Sequence, residues 1–199
     1  NFGTVHQTKR EMVTEIAATM AFSAIQNNDK IGVIFFSDHV EKYIPPKKGR
    51  KHILYLIREM LTFTPNSKKT DVGVGLEYLN KVVKRRCTAF VISDFYTRKD
   101  FSQELRITNR KHDAIQVYDP RAKIMPDVGL LKVIDAETGH EMYVDTHDIR
   151  VRKAHNTYWE EREQRLHDTL TQSHVDSVAI ATNDDYVKML ITLFLKRRR

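Results

Sequence analysis

Ile31-Gly32-Val33-Ile34-Phe35-Phe36 is a run of six residues without a polar side chain, built mostly of β-branched and aromatic types. The run is strand-sized and reads as a strand covered on both faces, the pattern of a parallel sheet. Ser37-Asp38-His39 turns the chain, and Val40, Lys42 and Ile44 then alternate with Glu41. This predicts a short second strand folded back on the first as a hairpin. Pro45-Pro46 is expected to end it, because proline has no N–H for the ladder.

Upstream of that run, Val13, Ile16, Ala17, Met20, Ala24 and Ile25 fall at helical spacing and predict a helix over 7–27. Downstream, Ile53, Leu54, Ile57, Met60 and Leu61 predict a helix over 49–62, followed by a loop at Thr64-Pro65-Asn66-Ser67. Asp71 is placed to cap the next helix, which uses Val72, Leu76, Leu79, Val82 and Val83. Gly73 and Gly75 lie inside it and read as close packing rather than a phosphate loop, since the third glycine of that motif is missing. Thr88–Ser93 is a second apolar strand, with Cys87 a small residue entering it. Phe101–Lys111 reads as a short helix and Ala114–Tyr118 as a strand. Leu130–Ile134 and Glu141–Val144 flank Asp135-Ala136-Glu137-Thr138-Gly139 as an antiparallel hairpin. Residues 147–172 form a long charged helix, in which Glu160, Glu161 and Glu163 are expected in solvent beside Arg162 and Arg165, and Tyr158 and Trp159 packed on the sheet or, as the alternative, forming a docking surface. Ser177–Ala181 is the last strand, and Asp184-Asp185 opens the last helix. Strands alternating with helices predict an α/β fold with a doubly wound, mainly parallel sheet and an antiparallel edge hairpin. One domain over 1–199 is expected, with the second hairpin and long helix as an elaboration at 128–173.

The bulk composition agrees with one folded domain. The chain has 199 residues, 41% hydrophobic and 30% charged. No apolar run approaches the roughly 18 residues that cross a bilayer. The lone Cys87 cannot form an internal disulfide, which suggests a reducing, cytoplasmic setting. The formal charge is +7, with basic clusters at Lys47-Lys48-Gly49-Arg50-Lys51, Lys84-Arg85-Arg86 and Lys196-Arg197-Arg198-Arg199. Two of these sit at a predicted helix C-terminus, where cations suit the dipole, and this weighs against nucleic acid as their partner. The chain opens on Asn1 rather than Met, which suggests an N-terminally truncated piece.

In open α/β sheets sites form at the carboxyl ends of strands. Three such ends carry polar residues: Ser37-Asp38-His39, Ser93-Asp94-Phe95 and Tyr118-Asp119-Pro120, with Thr70-Asp71 expected on the same rim. Hydroxyls and single carboxylates suit a hard cation such as Mg²⁺. An aspartate ending a strand is more often a turn or cap, so the pattern alone is half a site. No zinc, Walker A, dinucleotide or Ser-hydrolase motif is present.

Several segments together resemble a known bacterial family. They are 28–38 (Asn-Asp-Lys-Ile-Gly-Val-Ile-Phe-Phe-Ser-Asp), 44–54 (Ile-Pro-Pro-Lys-Lys-Gly-Arg-Lys-His-Ile-Leu), 69–73 (Lys-Thr-Asp-Val-Gly) and 89–95 (Ala-Phe-Val-Ile-Ser-Asp-Phe). Arg-Lys-His-Asp at 110–113, Val-Tyr-Asp-Pro-Arg at 117–121, Pro-Asp-Val-Gly-Leu at 126–130 and Asp-Asp-Tyr-Val at 184–187 continue the likeness. In this order they resemble domain-of-unknown-function family fifty-eight, related to von Willebrand factor A domains. The resemblance implies a von Willebrand factor A-like sheet with a metal-ion-dependent adhesion site at its top. Such a site uses an Asp-x-Ser-x-Ser motif, a later Thr and an Asp after the fourth strand. Thr70 and Asp94 match the Thr and the Asp as metal ligands, with Asp71, Ser93, Asp38 and Asp119 near the site. The first motif is absent and would fall just before Phe2-Gly3-Thr4. Mg²⁺ or Mn²⁺ is therefore expected in the intact protein, and little stable binding in this chain. The resemblance also puts the first strand at the sheet centre. Its absence would leave the strands at 30–37 and 88–93 roughly 9.6 Å apart, two strand spacings. Upstream residues would supply the strand, the sheet would rearrange, or two chains would exchange segments as a homodimer.

The function implied is a non-catalytic protein-interaction module acting with a MoxR-type AAA+ ATPase, and with other von Willebrand factor A proteins, in assembling or activating complexes. The alternatives are a metal-dependent hydrolase on a similar fold, for which no general base stands beside Asp94, and a basic nucleic-acid-binding protein.

Overall fold

The structure is a computed structural model and describes residues 8–85, 87–97, 99–107, 111–134 and 139–196. Helix α1 (Lys9–Gln26) opens with a capping box in which Thr8 Oγ1 accepts from Glu11 N–H and the Glu11 carboxylate accepts from Thr8 N–H. Strands β1 (Ile31–Phe36) and β2 (Val40–Lys47) form the expected hairpin, followed by α2 (Arg50–Thr62) and α3 (Val72–Val82). Asp71 caps α3, accepting from Val74 N–H. Next come β3 (Thr88–Ser93), α4 (Ser102–Ile107), β4 (Lys111–Tyr118) and a 3-10 turn at Pro120–Ala122. The chain then forms a second hairpin, β5 (Leu130–Ile134) and β6 (Glu141–Asp145), the long α5 (Ile149–Gln172), β7 (Asp176–Ala181) and α6 (Tyr186–Lys196). The element order matches the sequence reading. Lys111, expected to end the 101–111 helix, instead begins β4; residues 108–110, most of the second hairpin's turn (135–138) and the terminal arginines lie outside the described residues.

A parallel sheet of order β3-β4-β7 carries the core. Side chains alternate across it, as strand geometry requires. Phe90 and Ile92 of β3, Ile115 and Val117 of β4 and Ile180 of β7 meet Met12 and Ile16 of α1 and Leu190 and Leu193 of α6. On the opposite face Val91 and Ala114 meet Val72 and Leu76 of α3, Leu105 of α4 and Leu170 of α5. Ile115 and Ile180 are fully buried. Helices on both faces of parallel strands are the doubly wound arrangement.

The structure corrects three expectations about the hairpins. The β1–β2 hairpin is not an edge of the parallel sheet: the described strands form three separate sheets, β1-β2, β3-β4-β7 and β5-β6. Every residue of β1 is half-buried rather than buried on both faces. An apolar run reports burial, and here α2 and α3 supply that burial where a neighbouring strand was expected. The third correction is that β2 runs through Pro45 and Pro46, both exposed. Among the described residues its one hydrogen-bonded neighbour is β1, so a missing donor is tolerated on an edge strand. The register shifts between Ile31 and Val33, opposite the prolines. Gly32 permits this, since a Cβ there would meet Ile44 O at 2.6 Å and Pro46 N at 2.8 Å.

Helix α3 joins the hairpin to the parallel sheet. Asp71 N–H donates to Ser37 O at 2.9 Å, and a Cβ on Gly75 would lie 2.9 Å from the Phe36 ring. The close-packing reading of Gly75 therefore holds. Phe36 reaches past it to the cluster under the parallel sheet.

Candidate functional site

The polar strand ends converge through the loops after β1, before α3 and after β3. Ser37 is buried, and its hydroxyl donates to Glu41 at 2.8 Å. The Glu41 carboxylate is 1% exposed and also accepts from the backbone N–H groups of Asn66 (2.9 Å) and Ser67 (3.3 Å) and from Asn66 Nδ2 (2.7 Å). Burial pushes its pKa up, but these donors outweigh burial and hold it below the ordinary glutamate value. The effect is to lash the hairpin turn to the loop that precedes Thr70. Asp38 accepts from His39 Nδ1 at 2.9 Å, which lowers the Asp38 pKa and raises that of His39.

Asp71 does more than cap. Its second oxygen accepts from Lys99 Nζ at 2.6 Å, and Lys99 comes from the loop after β3. The Lys99 pKa is raised chiefly by that bond, with Asp38 adding to the field. Asp38, Asp71 and Lys99 thus share one neighbourhood.

Asp94 follows β3 and sits in a tightly specified loop. Phe95 N–H donates to Ser93 Oγ at 3.0 Å and Tyr96 N–H to Asp94 Oδ1 at 3.0 Å. Phe95 itself has φ +52°, the left-handed region that a bulky residue rarely enters. Its ring is buried against Phe101 at 6.0 Å. Asp94 Oδ2 accepts from Lys9 Nζ at 2.8 Å, with the two side chains 31% and 41% exposed. The Asp94 carbonyl accepts from Arg162 Nη2 at 3.1 Å. Arg162 lies over the rings of Tyr96 (4.6 Å) and Trp159 (4.8 Å), and burial lowers its pKa against the pull of Asp94, Tyr158 and Tyr96.

Among the predicted site residues, Asp38 and Asp71 come together around Lys99. Asp94 lies earlier in the loop that carries Lys99, but its carboxylate faces Lys9 of α1 instead. Ser93 serves as a turn acceptor. Thr70 is half-buried next to Asp71, and no hydrogen bond joins it to Asp94 among the described residues. The Asp119 side chain, expected near the site, is 1% exposed, caps the turn at Pro120–Ala122 and pairs with Arg121. Arg162, expected beside the glutamates of its own helix, reaches the rim loop instead; Arg165 pairs with Glu161 as expected, and Glu163 with Lys123. Trp159 packs on Tyr96 of the rim loop (6.4 Å between centroids), not on the sheet, and Tyr158 is 46% exposed.

Among the described residues no three His, Cys, Asp or Glu side chains converge to hold a metal. The Asp94 and Asp71 carboxylates already face ammonium groups at 2.8 and 2.6 Å. The donor set these residues present does not by itself fit a divalent cation. Its chemistry is that of carboxylates neutralised by lysine at a partly exposed rim. Lys9, Lys99, Glu41 and Arg162 were not legible as site residues, because each acts on a partner 25 or more residues away, the Ser37 and His39 contacts of Glu41 aside.

These features define a class: an α/β protein with helices on both faces of a parallel sheet and a charged rim at its strand tips. Residues 1–165 match the family described as "Protein of unknown function DUF58", and the chain belongs to that family. It is 30% identical over 143 residues to the uncharacterized protein Rv1480 of Mycobacterium tuberculosis (strain H37Rv), covering 70% of this chain and 45% of the relative. The same figures hold for the uncharacterized protein Mb1516 of Mycobacterium bovis. The chain thus spans about half the length of these relatives, 45%. Two solved structures share its fold. One is conserved hypothetical protein BatB from Bacteroides thetaiotaomicron, with TM-score 0.61 and 9% identity over 96% of this chain and 89% of that one. The other is an aerotolerance-related membrane protein from Bacteroides fragilis carrying multiple mutations to serines, with TM-score 0.55 and 12% identity over 92% and 88%.

Proposed function

We propose that this chain is a von Willebrand factor A-like protein-binding module, without catalytic activity, whose rim grips a charged group of a partner. The partner in this reading is a MoxR-type AAA+ ATPase acting in the assembly or activation of protein complexes in the cytoplasm. The observation that carries the reading is a pair of loop carboxylates each held by a lysine: Asp71, where the loops from β1, α3 and β3 meet, by Lys99, and Asp94 by Lys9 of α1. A partly exposed ion pair is worth about 0–1 kcal/mol. Exchanging Lys9 for a partner's cation, or Asp94 for a partner's acid, therefore costs little, while the loop that presents Asp94 stays fixed by Phe95 and Arg162. Coordination of Mg²⁺ or Mn²⁺ by Thr70 and Asp94 belongs to the same proposal. It requires further oxygen ligands and the displacement of Lys9.

The test is capture from a lysate with the full-length protein as bait, with and without Mg²⁺, beside Asp94→Ala and Asp71→Ala. An AAA+ ATPase retained by the parent and lost with Asp94→Ala supports the reading. Equal retention by all three proteins refutes it, and dependence on Mg²⁺ separates the metal-bridged form from the direct one.

A further inference from the structure

The end of the molecule opposite the rim carries a different charge pattern. β1 runs from Ile31 to the Ser37 turn, so Lys30 lies roughly 20 Å from the rim, one six-residue strand away. Ile31 is in register with Lys47, which brings Lys30, Lys47 and Lys48 to the same end of the hairpin. Arg50 and Lys51 follow in the first turn of α2. All five side chains are exposed, and none makes an ion pair among the described residues. The one adjoining acid in the chain is Asp29. The nearest carboxylate along α2, Glu59, is already held by Lys42 at 2.5 Å and by the Tyr55 hydroxyl.

These cations do not serve the helix they begin. Lys and Arg favour a helix C-terminus and oppose the dipole at an N-terminus, and α2 has neither an acid in its first turn nor a side-chain cap. The basic residues after α3 and in α6 have that ordinary explanation; these five do not. One turn further along α2, Leu54 and Tyr55 are 48% and 44% exposed, at i+4 from Arg50 and Lys51. Cations with adjoining exposed aliphatic and aromatic side chains match a layer that is anionic outside and apolar just beneath. A nucleic acid would use the charges but leave Leu54 without a role.

We infer that the face formed by Lys30, Lys47, Lys48, Arg50 and Lys51, with Leu54 and Tyr55, docks peripherally on an anionic lipid surface. The contact proposed is adsorption of this face; no helix among the described residues is long and apolar enough to cross a membrane. Docked in this way, the molecule directs its carboxylate-bearing rim away from the bilayer.

Co-sedimentation of the 199-residue chain with vesicles tests the inference. Binding is expected to phosphatidylcholine vesicles containing phosphatidylglycerol and not to phosphatidylcholine alone, and to be lost as salt shortens the screening length to about 3 Å at 1 M. Each lysine near such a surface contributes about 1 kcal/mol, roughly fivefold in partitioning. Lys47→Gln with Lys48→Gln should therefore weaken binding about 25-fold. Leu54→Ser should weaken it without changing the salt dependence. The control is Lys153→Gln with Arg165→Gln on α5, which removes the same charge elsewhere. Equal weakening by the control means that diffuse net charge does the work and overturns the inference. So does equal binding to neutral vesicles, or duplex DNA binding that outcompetes the vesicles and depends on the same lysines. Circular dichroism of each variant confirms that these exposed changes leave the fold intact.

Discussion

Replacing Arg162 with alanine removes the joint between α5 and the loop that presents Asp94. The guanidinium covers two aromatic rings at 4.6 and 4.8 Å, and partly desolvated cation–π contacts are worth about 0.5–2 kcal/mol together. Its hydrogen bond to the Asp94 carbonyl, from a charged donor, is worth about 1.5–3 kcal/mol. Burial of the guanidinium opposes both, as the lowered pKa of Arg162 indicates. The net loss should be about 2–3 kcal/mol. For a chain of 199 residues each kcal/mol moves the midpoint by about 2–4 °C, so Tm should fall by about 4–12 °C. Trp159 is the only tryptophan and lies in this joint, so its emission reports the site directly. Arg162→Ala should shift that emission toward the solvent-exposed value and speed amide exchange across Asp94–Thr97, while far-UV dichroism stays unchanged. Arg162→Lys keeps the charge but loses the planar stacking, and should recover less than half of the loss. An Arg162→Ala protein with a Tm within a degree of the parent and unchanged Trp159 emission would show that the loop is held by its own Ser93 and Asp94 turns, and that α5 is not coupled to the rim.

Other outcomes follow from the same geometry. Gly75→Val should destabilise by about 1–3 kcal/mol, because its side chain meets the Phe36 ring at 2.9 Å, and denaturant unfolding measures it. Thr146→Val should cost about 1–3 kcal/mol: the buried Thr146 hydroxyl accepts from Val128 N–H at 2.9 Å and donates to Gly129 O at 2.7 Å, and valine leaves that amide unpaired. The Glu41 pKa is depressed in the fold, so its contribution is present above its unfolded value near 4.5 and is lost as pH falls through the lower folded value. Glu41→Gln should flatten the acid limb of a stability–pH curve. His39 is raised by Asp38, so the stability it lends is full below pH 6.5 and fades as pH climbs through its higher folded value. An NMR titration should place its midpoint above 6.5, and Asp38→Asn should bring it back down.

Much of the fold was legible because local signals and tertiary structure agree. Apolar runs at Ile31–Phe36 and Thr88–Ser93 became strands, and Asp71 became a cap. What could not be read was which strand neighbours which. Hydrophobicity reports that β1 is covered, and a helix covers it as well as a strand does. The proline rule misplaced the end of β2 because it assumes two neighbours, and among the described residues β2 has one. At the rim the carboxylates were visible as strand-end residues, but their counter-ions were not. Lys9 and Asp94 are 85 positions apart, and no periodicity links them. Arg162 was misread because the i,i+4 rule looks along its own helix, whereas its side chain leaves that helix for the Tyr96 loop.

The two prolines in β2 have a consequence beyond the local register. An edge strand presents unused donors and acceptors that another polypeptide can zip onto, the first step of intermolecular β-assembly. Pro45 and Pro46 remove consecutive N–H groups from that strand, and Lys47 and Lys48 place two charges directly after them. A foreign strand growing along β2 from the turn therefore loses its donors beyond Ile44. The far end of β2 is thereby closed to such pairing.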